Sequence, residues 1–114
     1  MRIATIALLF SVFVLTNASS AYADDAAQVE KGKQVYAAQK CGICHSVAGV
    51  GNKKGSFDGV GSKLAAAEIR QWIVAAPEMA AKTKAERKPA MKAFPNLAKD
   101  DVDALVAYLH SLKK

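Results

Sequence analysis

The feature that most constrains this chain is the stretch CGICH at residues 41–45. It contains both cysteines of the 114-residue sequence, and a histidine directly follows the second. Two cysteines separated by two residues occur in redox dithiols, in halves of zinc sites and in attachment sites for haem. Each of these sites requires a different fold around it, so the remaining sequence has to distinguish among them.

The N-terminus has the composition of a secretory signal peptide. Arg2 provides a positive charge before an apolar run over residues 3–15, and Ala21 and Ala23 flank Tyr22 in the small-x-small form of a cleavage site. We expect cleavage after Ala23 and export to the periplasm. The alternative is an uncleaved anchor, although the run is shorter than the about 20 apolar residues of a spanning helix. After cleavage, no segment is apolar enough to cross a membrane.

Removal of the signal peptide, residues 1–23, would leave one small domain, residues 24–114. This mature chain of 91 residues keeps 15 of the 16 basic residues against 10 acidic ones, a net charge of +5. Domains of this size bury a modest core and often depend on disulfides, metals or bound groups for stability. Exported cysteines commonly pair, but a bridge between Cys41 and Cys44 would close a very small loop and add little stability. A structural disulfide is therefore a poor explanation for this pair.

The mature sequence has helical periodicity and no alternating strand pattern. We expect a first helix over residues 26–39, a second over about 65–75 that Pro77 stops, and a last helix over about 99–112. Five of the seven glycines lie in residues 49–61, which indicates an irregular loop. These patterns predict an all-α domain. The apolar stripe of the last helix consists of Val102, Leu105, Val106, Leu109 and Leu112.

The surroundings of the two cysteines favour covalent haem over the other two kinds of site. A thioredoxin-like dithiol lies in a strand–helix–strand pattern, which this chain lacks. A zinc site needs about four ligands, and the mature chain offers only Cys41, Cys44, His45 and the distant His110 as Cys and His candidates. In a c-type site, two such thiols form thioethers with one haem and the histidine that follows binds the iron. We therefore predict one haem c, attached through Cys41 and Cys44, with His45 as an iron ligand.

The mature chain resembles the class I c-type cytochromes over nearly its whole length. The family's first helix and haem-binding turn are similar to GKQVYAAQKCGICHSV, and its loop after the haem is similar to GVGSKL. Its central helix is similar to EIRQWI, and its ligand loop and terminal helix are similar to MKAFPNLAKDDVDALVAYLHSLKK. The resemblance implies a small cytochrome c fold, in which the N- and C-terminal helices cross and a central helix and loops wrap round one covalently bound haem.

The helix crossing of that family has a counterpart in this sequence. A glycine and an aromatic residue of the family's first helix cross an aromatic-leucine pair of its last helix. These positions match Gly32 and Tyr36, and Tyr108 and Leu109. A glycine inside a helix costs about 1 kcal/mol relative to alanine, so we expect Gly32 to be there for close helix packing.

The second axial ligand has three candidates in the mature chain, Met79, Met91 and His110. Methionine is more often core filler than ligand. The resemblance implies Met91, which precedes the terminal helix in a loop that Pro89 and Pro95 stiffen. Met79, near the end of the second helix, is the alternative, and His110 lies on the flank of the last helix. A thioether ligand favours reduced iron and implies a fairly positive potential.

The resemblance assigns two further residues to the haem site. It implies that the indole N–H of Trp72 donates to a haem propionate, with Arg70 as a second candidate for that group. The family commonly has a proline after the glycine that matches Gly55, and a carbonyl there accepts the Nδ1–H of the haem-binding histidine. Ser56 replaces that proline here, so we expect Ser56 to keep the acceptor on a less rigid backbone.

These features predict an electron carrier and not an enzyme. Both axial positions would be filled, and the sequence has no constellation for acid–base or nucleophilic catalysis. We expect a monomer that carries one electron between larger redox proteins. The alternatives are a haem subunit of a dehydrogenase complex, and a small haem peroxidase or gas sensor with a labile sixth ligand.

Basic residues crowd the segment around Met91. We expect this segment to cross the haem face, where its charge would attract redox partner proteins that have an acidic docking surface. The alternative is a solvated loop without a partner. Nucleic acid is a poor partner for an exported chain with few aromatic residues among its bases. The basic residues are Lys82, Lys84, Arg87, Lys88 and Lys92, and Glu86 lies among them.

Overall fold

The computed structural model describes residues 20–114, with side chains from Asp25 onward. The predicted signal peptide lies outside these residues except for positions 20–23. None of the helices in the described part combines the length and the apolar character that crossing a bilayer requires. The helices there are α1 (Ser20–Ala38), α2 (Val60–Lys63), α3 (Ala66–Val74), α4 (Ala76–Thr83) and α5 (Lys99–His110).

α1 and α5 cross in close contact at Gly32. A Cβ atom at this buried glycine would overlap the carbonyl oxygen of Ala104 and lie 2.5 Å from the Cβ of Tyr108. Tyr36, one turn later on α1, packs edge-on against Tyr108 with the ring centroids 5.8 Å apart. Because only glycine lets two helix backbones approach this closely, the predicted crossing of the first and last helices is confirmed.

The hydrophobic core lies where α5 packs against α1 and α3. α3 contributes Ile69 and Ile73, which recur at the spacing of one helix turn, and α1 contributes Val35. The predicted all-α class is confirmed, since the strands among the described residues amount to one small hairpin. The residues that α5 buries are Val102, Ala104, Leu105, Val106, Tyr108 and Leu109.

That hairpin lies at the start of the glycine-rich segment, which the sequence predicts to be irregular. β1 (Ser46–Val47) pairs antiparallel with β2 (Val50–Gly51). A 3-10 turn precedes the hairpin at Cys41–Ile43 and another follows at Lys53–Gly55. The segment therefore has more order than its composition indicates, and the hairpin holds the residues on both sides of it in place.

Pro77 lies in the first turn of a helix, whereas the sequence predicts that it stops one. α3 ends at Val74, and Ala75 leaves helical geometry with φ −140° and ψ 45°. α4 then begins at Ala76 with Pro77 in its first turn. In that position the N–H that proline lacks would have had no helical partner. Pro77 thus starts one helix just after another has ended.

Candidate functional site

The Cys-x-x-Cys-His stretch forms a tight turn directly after α1. Lys40 has a left-handed conformation, with φ 56° and ψ 38°, and turns the chain out of the helix. The backbone N–H groups of Cys44 and His45 then donate to the carbonyl of Cys41, at 3.1 and 2.9 Å. Both cysteines are free thiols. The turn therefore holds two unpaired thiols and an imidazole on one short loop.

Asn52 and Gly51 hold this turn from the side of the hairpin. The backbone N–H of Asn52 lies 2.9 Å from the carbonyl of His45 and 3.1 Å from that of Gly42. The side-chain amide of Asn52 donates to the carbonyl of Ile43 at 3.1 Å. Gly51 has φ 108°, and a Cβ atom there would overlap the carbonyl oxygen of His45. A glycine at this position is therefore needed for both its conformation and its close approach.

A hydrogen bond and an aromatic ring fix the imidazole of His45. Its Nδ1 lies 3.0 Å from the carbonyl oxygen of Gly55, an acceptor that assigns the proton to Nδ1. The ring of Phe57 stacks on the imidazole, with centroids 4.0 Å apart and an interplanar angle of 16°. This tautomer leaves Nε2 as the nitrogen with which His45 can bind a metal.

The surroundings of His45 favour its neutral form. Burial lowers the pKa of the imidazole, the hydrogen bond to Gly55 opposes this change, and the positive charge of Arg87 lowers the pKa further. Neutral imidazole is the form that ligates metals. The shift therefore acts in the direction that a metal ligand needs.

The acceptor for His45 is Gly55 and not Ser56, the residue predicted from the sequence to provide it. Ser56 instead forms a β-bridge with Ser46, and its hydroxyl accepts a hydrogen bond from the N–H of Asp58 at 3.2 Å. Successive peptide groups of an extended segment point to opposite sides. When the carbonyl of Gly55 points toward His45, the carbonyl of Ser56 therefore points away from it.

The thiol of Cys41 does not have the environment of a redox-active dithiol. Burial raises the pKa of the Cys41 thiol, a backbone hydrogen bond partly offsets this rise, and Cys44 adds to it. Catalytic dithiols depend on a lowered thiol pKa, because the thiolate is the nucleophile. The opposite shift disfavours a thioredoxin-like role for the pair.

Cys41, His45 and Met91 line one apolar pocket. The pocket opens to solvent, and its walls expose apolar surface. α3, α5 and the loop between α4 and α5 provide most of the other walls. The remaining lining residues are Gln39, Phe57, Ile73, Phe94, Leu105 and Leu109.

The other two candidates for the sixth ligand do not line this pocket. Met79 lies on α4 with only 8% of its surface exposed, among the core residues. His110 lies near the end of α5, where its Nε2 is 3.3 Å from the Nζ of Lys113. Of the three candidates, Met91 is therefore the one whose surroundings include His45.

The loop that carries Met91 is anchored on both sides of this residue. Before Met91, the Nη2 of Arg87 donates to the carbonyl of Cys44 at 2.5 Å. After Met91, the N–H of Phe94 donates to the carbonyl of Ile73 at 2.8 Å. These two hydrogen bonds fix a segment that has no regular secondary structure, and they bring it to the turn that carries His45.

Two further predicted residues, Cys44 and Trp72, do not line the pocket. Trp72 is half-buried on α3, and its indole N–H donates no hydrogen bond within the described part of the chain. Arg70, the second candidate for a propionate contact, forms an ion pair with Asp103. Lys99 binds the same carboxylate at 2.7 Å. Arg70 therefore ties α3 to α5.

Phe57 and Arg87 contact the turn around His45, and neither of them is predicted from the sequence to do so. Phe57 is the single aromatic residue of a glycine-rich loop. An aromatic ring in such a loop indicates a contact with another part of the molecule, because the loop has no apolar core of its own. Arg87 lies among charged residues in the sequence, as solvent-exposed arginines commonly do. Nothing in the sequence connects it with Cys44, which lies 43 positions earlier.

The residues around the pocket fit a covalently attached haem. Two free thiols, an imidazole with one available nitrogen, and a thioether are the groups that attach a haem c and bind its iron. The hydroxyl of Tyr36 is buried without a hydrogen-bond partner among the described residues. Burial, and then the neighbouring Cys41, raises the pKa of Tyr36 to about 12. This hydroxyl thus remains a protonated donor.

Comparison with known proteins agrees with this chemistry. The chain is 29% identical over 92 residues to cytochrome c oxidase subunit 2 of Alkalihalophilus pseudofirmus, a match that covers 73% of this chain and 25% of that protein. The chain thus spans about a quarter of the length of this curated relative. No solved structure matches it significantly. The family model described as "Cytochrome c" matches residues 29–113. The chain therefore belongs to the cytochrome c family, whose members bind haem c covalently and use it to transfer electrons.

Proposed function

We propose that this chain is an exported periplasmic carrier of single electrons, with its haem attached through Cys41 and Cys44 and the iron bound by His45 and Met91. The observation that carries the proposal is the shared apolar pocket of Cys41, His45 and Met91. When bound, the haem supplies an iron that alternates between the ferrous and ferric states. His45 and Met91 together would hold the iron and would leave it no open position for a substrate.

The side chains around the pocket support a role in outer-sphere electron transfer. The hydrogen bond from His45 to Gly55 orients the imidazole and increases its basicity. The thioether of Met91 favours reduced iron and raises the potential. We also assign the free indole N–H of Trp72 to a haem propionate. A site in which His45 and Met91 held the iron in fixed positions would lose little energy to rearrangement on electron transfer.

Haem extraction tests the covalent attachment. Haem should remain with the wild-type protein in acid–acetone, and Cys41→Ala or Cys44→Ala should weaken its retention or abolish it. Wild-type protein that releases its haem freely would contradict the attachment. The same preparation provides the protein for the ligand test.

Absorption spectra and carbon monoxide test the sixth ligand. Oxidised wild-type protein should show the weak red band of sulfur-to-iron charge transfer, and reduced wild-type protein should not bind carbon monoxide. Met91→Ala should abolish the band and open the iron to carbon monoxide. Met79→Ala, the matched control, should do neither, and the reverse pattern would make Met79 the ligand. Rapid carbon monoxide binding by the wild-type protein would support a peroxidase or a gas sensor.

We further propose that the basic segment before and after Met91 docks on an acidic redox partner. Residues 81–90 are all exposed. The ammonium of Lys92 lies 5.3 Å from the ring centroid of Phe94, which lines the pocket.

Salt screens such charges over a Debye length of about 10 Å at 0.1 M. The second-order rate of electron transfer should therefore fall as ionic strength rises. The double variant Lys88→Glu, Lys92→Glu should lower the rate of electron transfer at low salt and make it less dependent on ionic strength. A rate that changes neither with ionic strength nor with these substitutions would contradict this docking.

A second candidate function is that of a haem subunit within a larger redox complex. The match to an oxidase subunit favours it, since that relative is about four times as long as the aligned part of this chain. Native purification distinguishes the two functions. A free carrier should elute as a monomer, whereas a subunit should co-purify with its complex under gentle conditions.

A further inference from the structure

Arg87 reaches from the loop between α4 and α5 to the Cys-x-x-Cys-His turn. Its Nη2 donates to the carbonyl of Cys44 at 2.5 Å. Its guanidinium also lies against Gly55, because a Cβ atom there would overlap Nη1 and stand 2.9 Å from Cζ. The carbonyl of Gly55 in turn accepts the Nδ1–H of His45. Arg87 therefore lies directly beside the hydrogen bond that orients the imidazole.

The neighbouring cations do not have this role. Lys82, Lys84 and Lys88 are exposed, and their side chains form no hydrogen bond or ion pair within the described part of the chain. A guanidinium is planar, permanently charged and able to donate from several nitrogens at once. These properties suit a group that binds the carbonyl of Cys44 while it packs against Gly55.

We propose that Arg87 is a positioning residue that raises the reduction potential of the haem iron, an inference that rests on the proposed ligation by His45. Oxidation gives the iron one more positive charge, and a fixed positive charge near its axial ligand makes that state less favourable. The hydrogen bond to Cys44 keeps the guanidinium in place. The same contact ties the loop that carries Met91 to the turn that carries His45.

The test uses the haem-loaded protein and two measurements. Spectroelectrochemical titration gives the midpoint potential, and NMR gives the rate at which the Nδ1 proton of His45 exchanges with solvent. Arg87→Gln should lower the midpoint potential and speed the exchange, because the charge and the cover over the hydrogen bond are both lost. Arg87→Lys keeps the charge and should keep most of the potential, but its exchange should still be faster than in the wild type.

Lys54→Gln is the matched control. It removes the same charge from the exposed residue next to Gly55, and the side chain of Lys54 makes no hydrogen bond or ion pair among the described residues. This variant should retain the wild-type exchange rate and lower the potential less than Arg87→Gln does. Equal falls in potential for Arg87→Gln and Lys54→Gln would overturn the proposal, as would an unchanged potential in Arg87→Gln.

The wild-type protein separates a failure of this inference from a failure of the proposed function. If His45 does not bind the iron, the wild-type spectrum lacks histidine ligation before any substitution is made, and both proposals fall. If the wild-type spectrum is that of six-coordinate iron and the Arg87 variants match Lys54→Gln, only the role of Arg87 is refuted. A global loss of stability alone would lower the unfolding temperature of the variants without this pattern of potentials.

Discussion

Replacing Gly32 with alanine should destabilise this protein, although the same change stabilises most helices. At an open helix position alanine is favoured over glycine by about 1 kcal/mol. At Gly32 the added Cβ would overlap the carbonyl oxygen of Ala104 and lie 2.5 Å from the Cβ of Tyr108. These atoms belong to the α5 backbone and to the base of a buried side chain, so α1 and α5 have to separate.

The net effect follows from two opposing contributions. Overpacking against a backbone costs about 3 kcal/mol, the upper end of the usual range, and the helix preference of alanine offsets about 1 kcal/mol of that cost. The free energy of unfolding should therefore fall by about 2 kcal/mol, which lowers the unfolding midpoint of a domain of this size by about 8–16 °C. Thermal unfolding followed by far-UV circular dichroism measures this change directly.

Gly42→Ala is the matched control for this experiment, because a Cβ atom at that position would meet no atom of a residue farther along the chain within 4 Å. Its midpoint should stay close to that of the wild type, which would show that a glycine replacement by itself is harmless. A Gly32→Ala midpoint at or above the wild-type value would refute the close approach of the two helices at this glycine.

Two further predictions concern the supports of the fold. Hydrogen bonds from Lys99 and Arg70 lower the pKa of the Asp103 carboxyl, so its contribution to stability is present above the unfolded-state pKa of about 4 and is lost as the pH falls through the folded-state value. Asp103→Asn should therefore lower the unfolding temperature at pH 7, and this difference should shrink in acid; a difference independent of pH would contradict it. Asn52 also caps the 3-10 turn at Lys53–Gly55, because its side-chain oxygen accepts a hydrogen bond from the N–H of Lys54 at 3.0 Å. Asn52→Ala should cost about 1–2 kcal/mol in denaturant unfolding, whereas Asn52→Asp, which keeps this capping oxygen, should cost less; equal losses would mean that the cap contributes nothing.

The helices that pack on the core could be predicted because their signals are local. The apolar stripe of α5 repeats at helical spacing from Val102 to Leu109, and the structure buries that stripe. α4 could not be predicted in this way. Proline satisfies the signals for both a helix stop and a helix start, and α4 buries only Ala76 and Met79. Whether Pro77 stops or starts a helix depends on the turn at Ala75, which has no signature in the sequence.

In the candidate site, too, local contacts could be predicted from the sequence and long-range contacts could not. Spacing alone brings Cys41, Cys44 and His45 together, because the turn that joins them is a few residues long. The acceptor for the imidazole is a backbone carbonyl, and carbonyls carry no side-chain identity. The choice between Gly55 and Ser56 therefore depends on the path of the chain and not on its residue types.

The position of the loop that carries Met91 also depends on contacts between residues that are far apart in the sequence. Its path is set by one hydrogen bond from Arg87 and one from the backbone of Phe94. The acceptors of both are carbonyls of residues far earlier in the chain, Cys44 and Ile73. A substitution that breaks either bond leaves every sequence motif intact and yet frees one end of the loop. The geometry of the proposed sixth ligand should thus be more sensitive to these anchors than to the prolines that flank Met91, since a stiff loop without an anchor has no fixed position relative to His45.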